Sequence, residues 1–172
     1  MGRHLVSEQE LDDLKPWVRA KIERDATRGG YTLIGTEELV ALLKRYPQGL
    51  LVDARDPDAY EDDHIRGARN FTMEDSWWAR TCKRGAFRRF LGPDLMRPIV
   101  FYCTRPTCSY SDSAPRCAVR MGYQKVYRYF PGIVAWMRHR LPLEGLKQRC
   151  VLTQRQATAE GPHGPGETNA PS

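Results

Sequence analysis

The stretch Pro98-Ile-Val-Phe-Tyr-Cys103 is followed at once by a polar segment, Thr104-Arg-Pro-Thr-Cys-Ser-Tyr-Ser-Asp-Ser-Ala114. An unbroken run of β-branched and aromatic residues predicts a buried strand, and the polar segment predicts a loop that leads into a helix. Cys103 then stands at the carboxyl end of the strand, where backbone N–H groups and a helix N-terminus converge. Such a position favours an anion and stabilises a thiolate. Cys103 is therefore the leading candidate for a catalytic residue.

The helix after this loop is predicted from its own apolar spacing. Four residues at i, i+3, i+4 and i+7 form one buried stripe: Ala114, Cys117, Ala118 and Met121. Asp112 or Ser113 is expected to cap the helix, with Pro115 in its first turn. Gly122 is expected to end it, and residues 125–130 alternate like a further strand. The unit is strand, loop, helix, strand, and ligands of open parallel α/β sheets bind at the carboxyl ends of strands.

Three other segments carry a resemblance to a known family. They are Leu50-Leu-Val-Asp-Ala-Arg-Asp-Pro-Asp-Ala-Tyr60, His64-Ile-Arg-Gly-Ala68, and Gly132 through Trp136 to Leu141-Pro-Leu-Glu144. Together with Cys103 at the nucleophile position, they make residues 31–145 resemble a single rhodanese-like domain, the family of sulfurtransferases that carry sulfur as a cysteine persulfide. The resemblance implies an α/β fold with a central, mostly parallel five-stranded sheet flanked by helices on both faces.

The resemblance also implies the chemistry. Cys103 would take sulfur from a sulfane-sulfur donor such as thiosulfate and pass it to a thiol or an acceptor protein, without a cofactor or metal. Arg105 is the cation within the loop and could hold an anionic donor, together with Thr104, Thr107 and Ser109. Backbone N–H groups, a helix end and a nearby cation can lower a cysteine pKa from about 8.5 to roughly 3.5–7.5.

Supporting roles are expected for residues of the neighbouring strand. Arg55 ends the Asp-x-Arg segment and is expected to fix the loop or an acidic partner. Asp53 is expected to accept hydrogen bonds from the backbone or from an arginine. His64 is interpreted as part of a turn, and Cys117 as a packing residue, because it lies on the apolar stripe.

The loop departs from the usual pattern of the family. It is about two residues longer and contains a second cysteine, Cys108, which makes it loosely similar to the subgroup named for a Cys-x-x-Cys-Trp motif and associated with quinone-dependent catabolism. Cys108 could resolve a persulfide or sulfenic acid on Cys103 by forming a disulfide, or it could simply fill the loop. Two alternatives to the sulfurtransferase therefore stay open: a dithiol redox protein that uses both cysteines, and a catalytically silent binding module.

Other site types fit the sequence poorly. Phosphatases of the same fold need Cys-x5-Arg, and Ser109 stands where that arginine would be. Zinc sites need paired cysteines or histidine clusters at short spacing, and one Cys-x4-Cys with four scattered histidines does not supply them. The sequence has no glycine-rich phosphate-binding motif.

Composition agrees with a globular enzyme. The chain has 172 residues, of which 41% are hydrophobic, and a formal net charge of +6. The basic cluster at residues 80–89 is interpreted as a solvated helix face, with an anionic substrate or nucleic acid as the alternative. Trp77 and Trp78 could form a lid or pack in the core. We expect neither a membrane nor a nucleic acid as partner.

The two ends of the chain lie outside the resemblance. Residues 1–30 are predicted to be a helical extension, with Leu11, Leu14, Val18 and Ile22 recurring every three or four residues and the main helix starting near Pro16. This helix is expected to pack on the domain, with partner binding as the alternative. Residues 146–172 are predicted to be a disordered tail.

The expected compartment follows from the cysteines and the lack of apolar segments. No segment approaches the roughly 18 apolar residues of a membrane span, and five cysteines without an evident pairing favour a reducing environment. Cytoplasm is the expectation. Periplasm is the alternative if the N-terminus is shortened, because the Cys-x-x-Cys-Trp subgroup is generally exported.

Overall fold

The computed structural model of the chain describes residues 8–72, 84–107 and 110–148. Within these ranges it contains seven helices and seven strands. In chain order they are α1 (Glu8–Asp12), α2 (Pro16–Gly29), β1 (Thr32–Ile34), α3 (Thr36–Arg45), β2 (Leu50–Asp53), α4 (Pro57–Asp62), β3 (His64–Ile65), β4 (Arg69–Asn70), α5 (Arg84–Leu91), β5 (Ile99–Tyr102), α6 (Tyr110–Arg120), β6 (Val126–Tyr129), α7 (Gly132–Arg138) and β7 (Leu143–Glu144).

Five of these strands form one sheet in the order β1-β6-β5-β2-β4. All four pairings in it are parallel, whereas β3 and β7 form a separate antiparallel pair. The predicted five-stranded, mostly parallel sheet is therefore confirmed. The strand that precedes Cys103, β5, is the middle strand of this sheet, with β6 on one side and β2 on the other.

Helices cover both faces of the sheet, because side chains alternate along each strand. On β5, Ile99 and Phe101 belong to a first apolar cluster, and Val100 and Tyr102 to a second. The first cluster includes buried residues of α2, α5 and α6, and the second includes buried residues of α3 and α7. Two layers of helix thus hold β5 in place and position the residue that follows it.

The N-terminal helix α2 packs on the first face. It begins at Pro16, where the missing N–H is harmless, and buries Val18, Ile22 and Ala26. Gly30, at φ 73°, ends the helix in the left-handed conformation and donates its N–H to the carbonyl of Ala26. The buried side chains of α2 contribute to the same cluster as those of α6.

The helix after the Cys103 loop differs from its prediction at its start. It begins at Tyr110, so Asp112 and Ser113 lie within it and the predicted cap at either residue is wrong. Asp112 does not cap the helix because its carboxylate accepts hydrogen bonds from Tyr31 and Arg116. Pro115 accordingly lies inside the helix rather than in its first turn.

Several predicted features fall partly or wholly outside the described residues. Of the basic cluster, residues 84–89 are described: the side chains of Arg84, Arg88 and Arg89 are exposed, and Phe87 is buried. The tryptophans at 77 and 78 and the predicted tail beyond residue 148 lie outside the described ranges. Among the helices that are described, none has the length and apolar character needed to cross a membrane.

Replacing Ile22 with alanine tests the packing of α2. Ile22 is fully buried, so the variant is expected to lower the free energy of unfolding by about 2–5 kcal/mol. Trp17→Ala on the same helix is the control, because Trp17 is 61% exposed and its loss should cost less than about 0.5 kcal/mol. Urea denaturation of both variants measures the difference, and equal stabilities would contradict the packing.

Candidate active site

Cys103 follows β5 directly, at the middle of the carboxyl edge of the sheet. Its side chain is 3% exposed. It is disulfide-bonded. The cysteine is therefore held between two neighbouring strands and enclosed by the elements that meet at this edge.

The start of α7 fixes the backbone at Cys103. The N–H of Ile133 donates to the carbonyl of Cys103 at 3.0 Å, and the N–H of Val134 to the carbonyl of Thr104 at 3.4 Å. Gly132 makes this approach possible: it adopts φ 74°, and a Cβ there would lie 2.6 Å from the Thr104 oxygen and 2.7 Å from the Cys103 oxygen. A residue with a side chain would meet both a strained backbone conformation and a backbone collision.

A buried polar cluster lies at the end of the adjacent strand β2. The guanidinium of Arg55, 9% exposed, donates to Asp53 through Nε at 3.1 Å and through Nη2 at 2.7 Å. It also donates to the carboxylate of Asp63 at 3.2 Å and to the carbonyl of Asp63. Burial acts to lower the pKa of Arg55, but hydrogen bonding to Asp53 and its negative charge outweigh burial and raise it. Arg55 is thus a charged cross-link between acidic partners within the chain.

Tyr102 joins this cluster to β5. Its hydroxyl accepts the N–H of Ile65 at 3.1 Å and lies close to the carboxylate of Asp53. Burial raises the pKa of Tyr102 well above its usual value, and the charge of Asp53 raises it further, so the phenol stays protonated. The cluster therefore holds the ends of β2 and β5 together beside Cys103.

The other predicted site residues share the loop with Cys103. Thr104 is partly buried, and Arg105 and Thr107 are exposed. Cys108 and Ser109 lie outside the described residues. The exposed Arg105 is accessible to an anionic donor from solvent. Its role in binding a donor stays a prediction, as do those of the two threonines.

Arg128 is the residue of this region that the sequence analysis missed. It lies on β6, is 1% exposed, and donates from Nη2 to the carbonyl of Pro106 at 2.9 Å. The alternation of β6 suggested a strand but not which face was buried. The available signal was topological: an inner strand of a parallel sheet is covered on both faces, so an arginine there must have a buried partner.

His64 lies in a turn and lines a separate cleft. Its ring stacks on that of Tyr60 at 4.0 Å, and its Nδ1 is 2.8 Å from the carbonyl of Tyr60. The cleft, of about 1280 Å³, has no lining residue from 103–107. Within the described ranges, no group of three or more histidine, cysteine or acidic side chains is arranged to hold a metal ion.

Comparison with known proteins identifies the family. The sequence model of the rhodanese-like domain matches residues 35–139. The chain belongs to the rhodanese-like family. This match includes Cys103, Arg128 and Gly132 but not α2. No curated protein sequence matches the chain significantly.

Solved structures share the fold of this rhodanese-like domain at low sequence identity. The Alr3790 protein from Anabaena sp. is 23% identical with a TM-score of 0.52, over 73% of this chain and 91% of that one. The polysulfide-sulfur transferase of Wolinella succinogenes, a homodimer, is 17% identical with a TM-score of 0.55, over 78% and 92%. RPA3614 from Rhodopseudomonas palustris, a protein of unknown function described as a possible tyrosine phosphatase, is 23% identical with a TM-score of 0.54, over 76% and 96%.

A pair of glycine substitutions tests the backbone contact under Cys103. Gly132→Ala should lower the free energy of unfolding by more than about 3 kcal/mol, because both the positive φ and the collision with two carbonyls are unfavourable. Gly67→Ala is the matched control: Gly67 has a similar φ of 78°, but a Cβ there meets nothing within 4 Å, so about 1–2 kcal/mol is expected. Urea denaturation compares them, and equal losses would show that the close approach is unimportant.

Proposed function

We propose that this rhodanese-like domain is a sulfurtransferase that forms a persulfide on Cys103. The observation that carries the proposal is the position of Cys103 in a member of this family: it directly follows the middle strand, with its carbonyl bound by the start of α7. The fold shared with a polysulfide-sulfur transferase supports the same chemistry. The expected donor is a small anion such as thiosulfate, and the expected acceptor is a thiol, free or on a protein.

The reaction needs two displacements at sulfur. The Cys103 thiolate attacks the outer sulfur of thiosulfate, so that a Cys103–sulfur bond forms, the S–S bond of thiosulfate breaks, and sulfite leaves with the electron pair. An acceptor thiolate then attacks the outer sulfur of the persulfide, and Cys103 leaves as a thiolate. Arg105, Thr104, Thr107 and Ser109 are proposed to bind the anionic donor.

The disulfide of Cys103 requires a preceding reduction. A cysteine in a disulfide has no thiolate to attack the donor, so a low-molecular-weight thiol must reduce it before the first displacement.

Intact mass of the reduced protein after thiosulfate treatment tests the proposal. One extra sulfur atom is expected, located on Cys103 by peptide mapping, and Cys103→Ser should abolish both this addition and the release of sulfite. Cys117→Ser, on the buried side of α6, is the control and should take up sulfur like the unmodified protein. Sulfur uptake by Cys103→Ser would refute the assignment.

A dithiol redox protein is the second candidate, because Cys103 is already disulfide-bonded. We propose Cys108 as its partner, since it lies in the same loop. In a combined cycle, the Cys108 thiol would attack the inner sulfur of the Cys103 persulfide, forming the Cys103–Cys108 disulfide and expelling hydrosulfide.

Replacing Cys108 with serine separates the two candidates. The variant should still form the persulfide on Cys103, but the persulfide should persist in the absence of an added thiol, because the internal displacement is lost. Hydrosulfide release and non-reducing peptide maps follow the two steps. If Cys108→Ser gains no sulfur on Cys103 while the unmodified protein loses two hydrogens across both cysteines, the redox candidate replaces the sulfurtransferase.

A phosphatase is not proposed, in spite of the fold shared with RPA3614. The phosphatase loop places an arginine six positions after its cysteine to bind the phosphate, and this chain has Ser109 there. Arg105 stands too early in the loop, and Arg116 lies in α6, where it binds Asp112.

A further inference from the structure

Arg128 is a charged residue in an apolar layer. Its neighbours in register on the adjoining strands are Leu33 on β1 and Phe101 on β5, and both belong to the first apolar cluster. Its side chain is 1% exposed. A buried guanidinium is unfavourable unless hydrogen bonds compensate for its lost hydration, so the contacts of Arg128 indicate what it does.

The guanidinium reaches the loop that carries Cys103. Its Nη2 donates to the carbonyl of Pro106 at 2.9 Å, three residues after the cysteine. The peptide bond after Pro106 is trans, so its C=O and N–H point in opposite directions. When the carbonyl is held toward Arg128, the N–H of Thr107 therefore points away from Arg128.

Arg128 is also connected to the helix at the far end of the loop. Its guanidinium lies close enough to Tyr31 for its positive charge to lower the pKa of the phenol, and the Tyr31 hydroxyl donates to the carboxylate of Asp112 in the first turn of α6. Asp112 accepts a second hydrogen bond from Arg116 at 2.7 Å. Burial raises the pKa of Tyr31, and the positive charge of Arg128 opposes this effect only in part. The phenol therefore remains a hydrogen-bond donor throughout the neutral range.

We propose that Arg128 is a positioning residue for Cys103. Its buried guanidinium fixes the loop at Pro106, beside the Tyr31 hydroxyl that binds Asp112 at the start of α6, and so sets the orientation of the backbone N–H groups that would stabilise the sulfur anion. Arg128 acts through the backbone and does not touch the donor. This inference rests on the proposed function for its purpose, but its effect on the reactivity of Cys103 can be measured without sulfur transfer.

The test compares Arg128→Met with Arg128→Lys. Methionine has a similar length and suits the apolar surroundings, so the variant is expected to remain folded. In reduced protein, the pH at which Cys103 is half-reactive toward iodoacetamide, followed by peptide mapping, should rise by about one unit, with an about tenfold slower alkylation at neutral pH. Arg128→Lys should recover most of the profile, because an ammonium group can still donate to the Pro106 carbonyl.

Two further variants keep the test decisive. Arg138→Met, at an exposed position in the last turn of α7, should leave the alkylation profile unchanged. Tyr31→Phe removes a single hydroxyl and should shift the profile in the same direction by a smaller amount, which decides the matter if Arg128→Met does not fold. A folded Arg128→Met or Tyr31→Phe with the unmodified profile would overturn the proposal.

The outcomes also distinguish this inference from the proposed function. If the unmodified protein forms no persulfide but Arg128→Met still shifts the alkylation profile, the positioning role stands and the sulfurtransferase fails. If the unmodified protein forms the persulfide and Arg128→Met forms it equally fast with an unchanged profile, the sulfurtransferase stands and the positioning role fails.

Discussion

The contact between Gly132 and the carbonyls of Cys103 and Thr104 is the constraint on which the candidate site depends. Two backbone segments can approach this closely only where one lacks a Cβ and can adopt a positive φ. The approach lets the first N–H groups of α7 bind the carbonyls at the start of the loop. Those N–H groups would otherwise lack partners at a helix start, so one contact both completes α7 and fixes the backbone of the cysteine.

Separate interactions then hold the remaining parts of this edge. Arg55 binds Asp53, and the Tyr102 hydroxyl, which lies close to Asp53, accepts the N–H of Ile65, so these groups cluster at the ends of β2 and β5 on one face of the sheet. Arg128 holds the loop at Pro106 from the other face. The geometry around Cys103 is thus determined mainly by backbone carbonyls and buried charges. The proposed thiolate nucleophile would need surroundings that favour an anion rather than a neighbouring base.

Most of the fold follows from local patterns in the sequence. The apolar run before Cys103 predicts β5, and Pro16 correctly marks the start of α2, because both signals depend on neighbouring residues alone. The predicted start of α6 was wrong because it depends on residues that are distant in the sequence. Asp112 has the side chain of a cap, but Tyr31, 81 residues away, and Arg116 bind it in the folded chain. A capping rule cannot anticipate a competitor that only tertiary structure brings close.

The residues of the candidate site also differ in whether local sequence or tertiary structure reveals them. Cys103 and the loop residues after it could be proposed from the sequence because a strand that ends in a cysteine before a helix is a local pattern. Arg128 follows Cys103 by one helix and part of a strand, and its contact with Pro106 exists only because β6 pairs with β5. Within β6 it looks like one polar residue in an alternating strand. The strand order places β6 between β1 and β5, where both faces of the strand are covered. A charged side chain buried there needs a hydrogen-bonding partner, and this requirement indicates a structural role for Arg128.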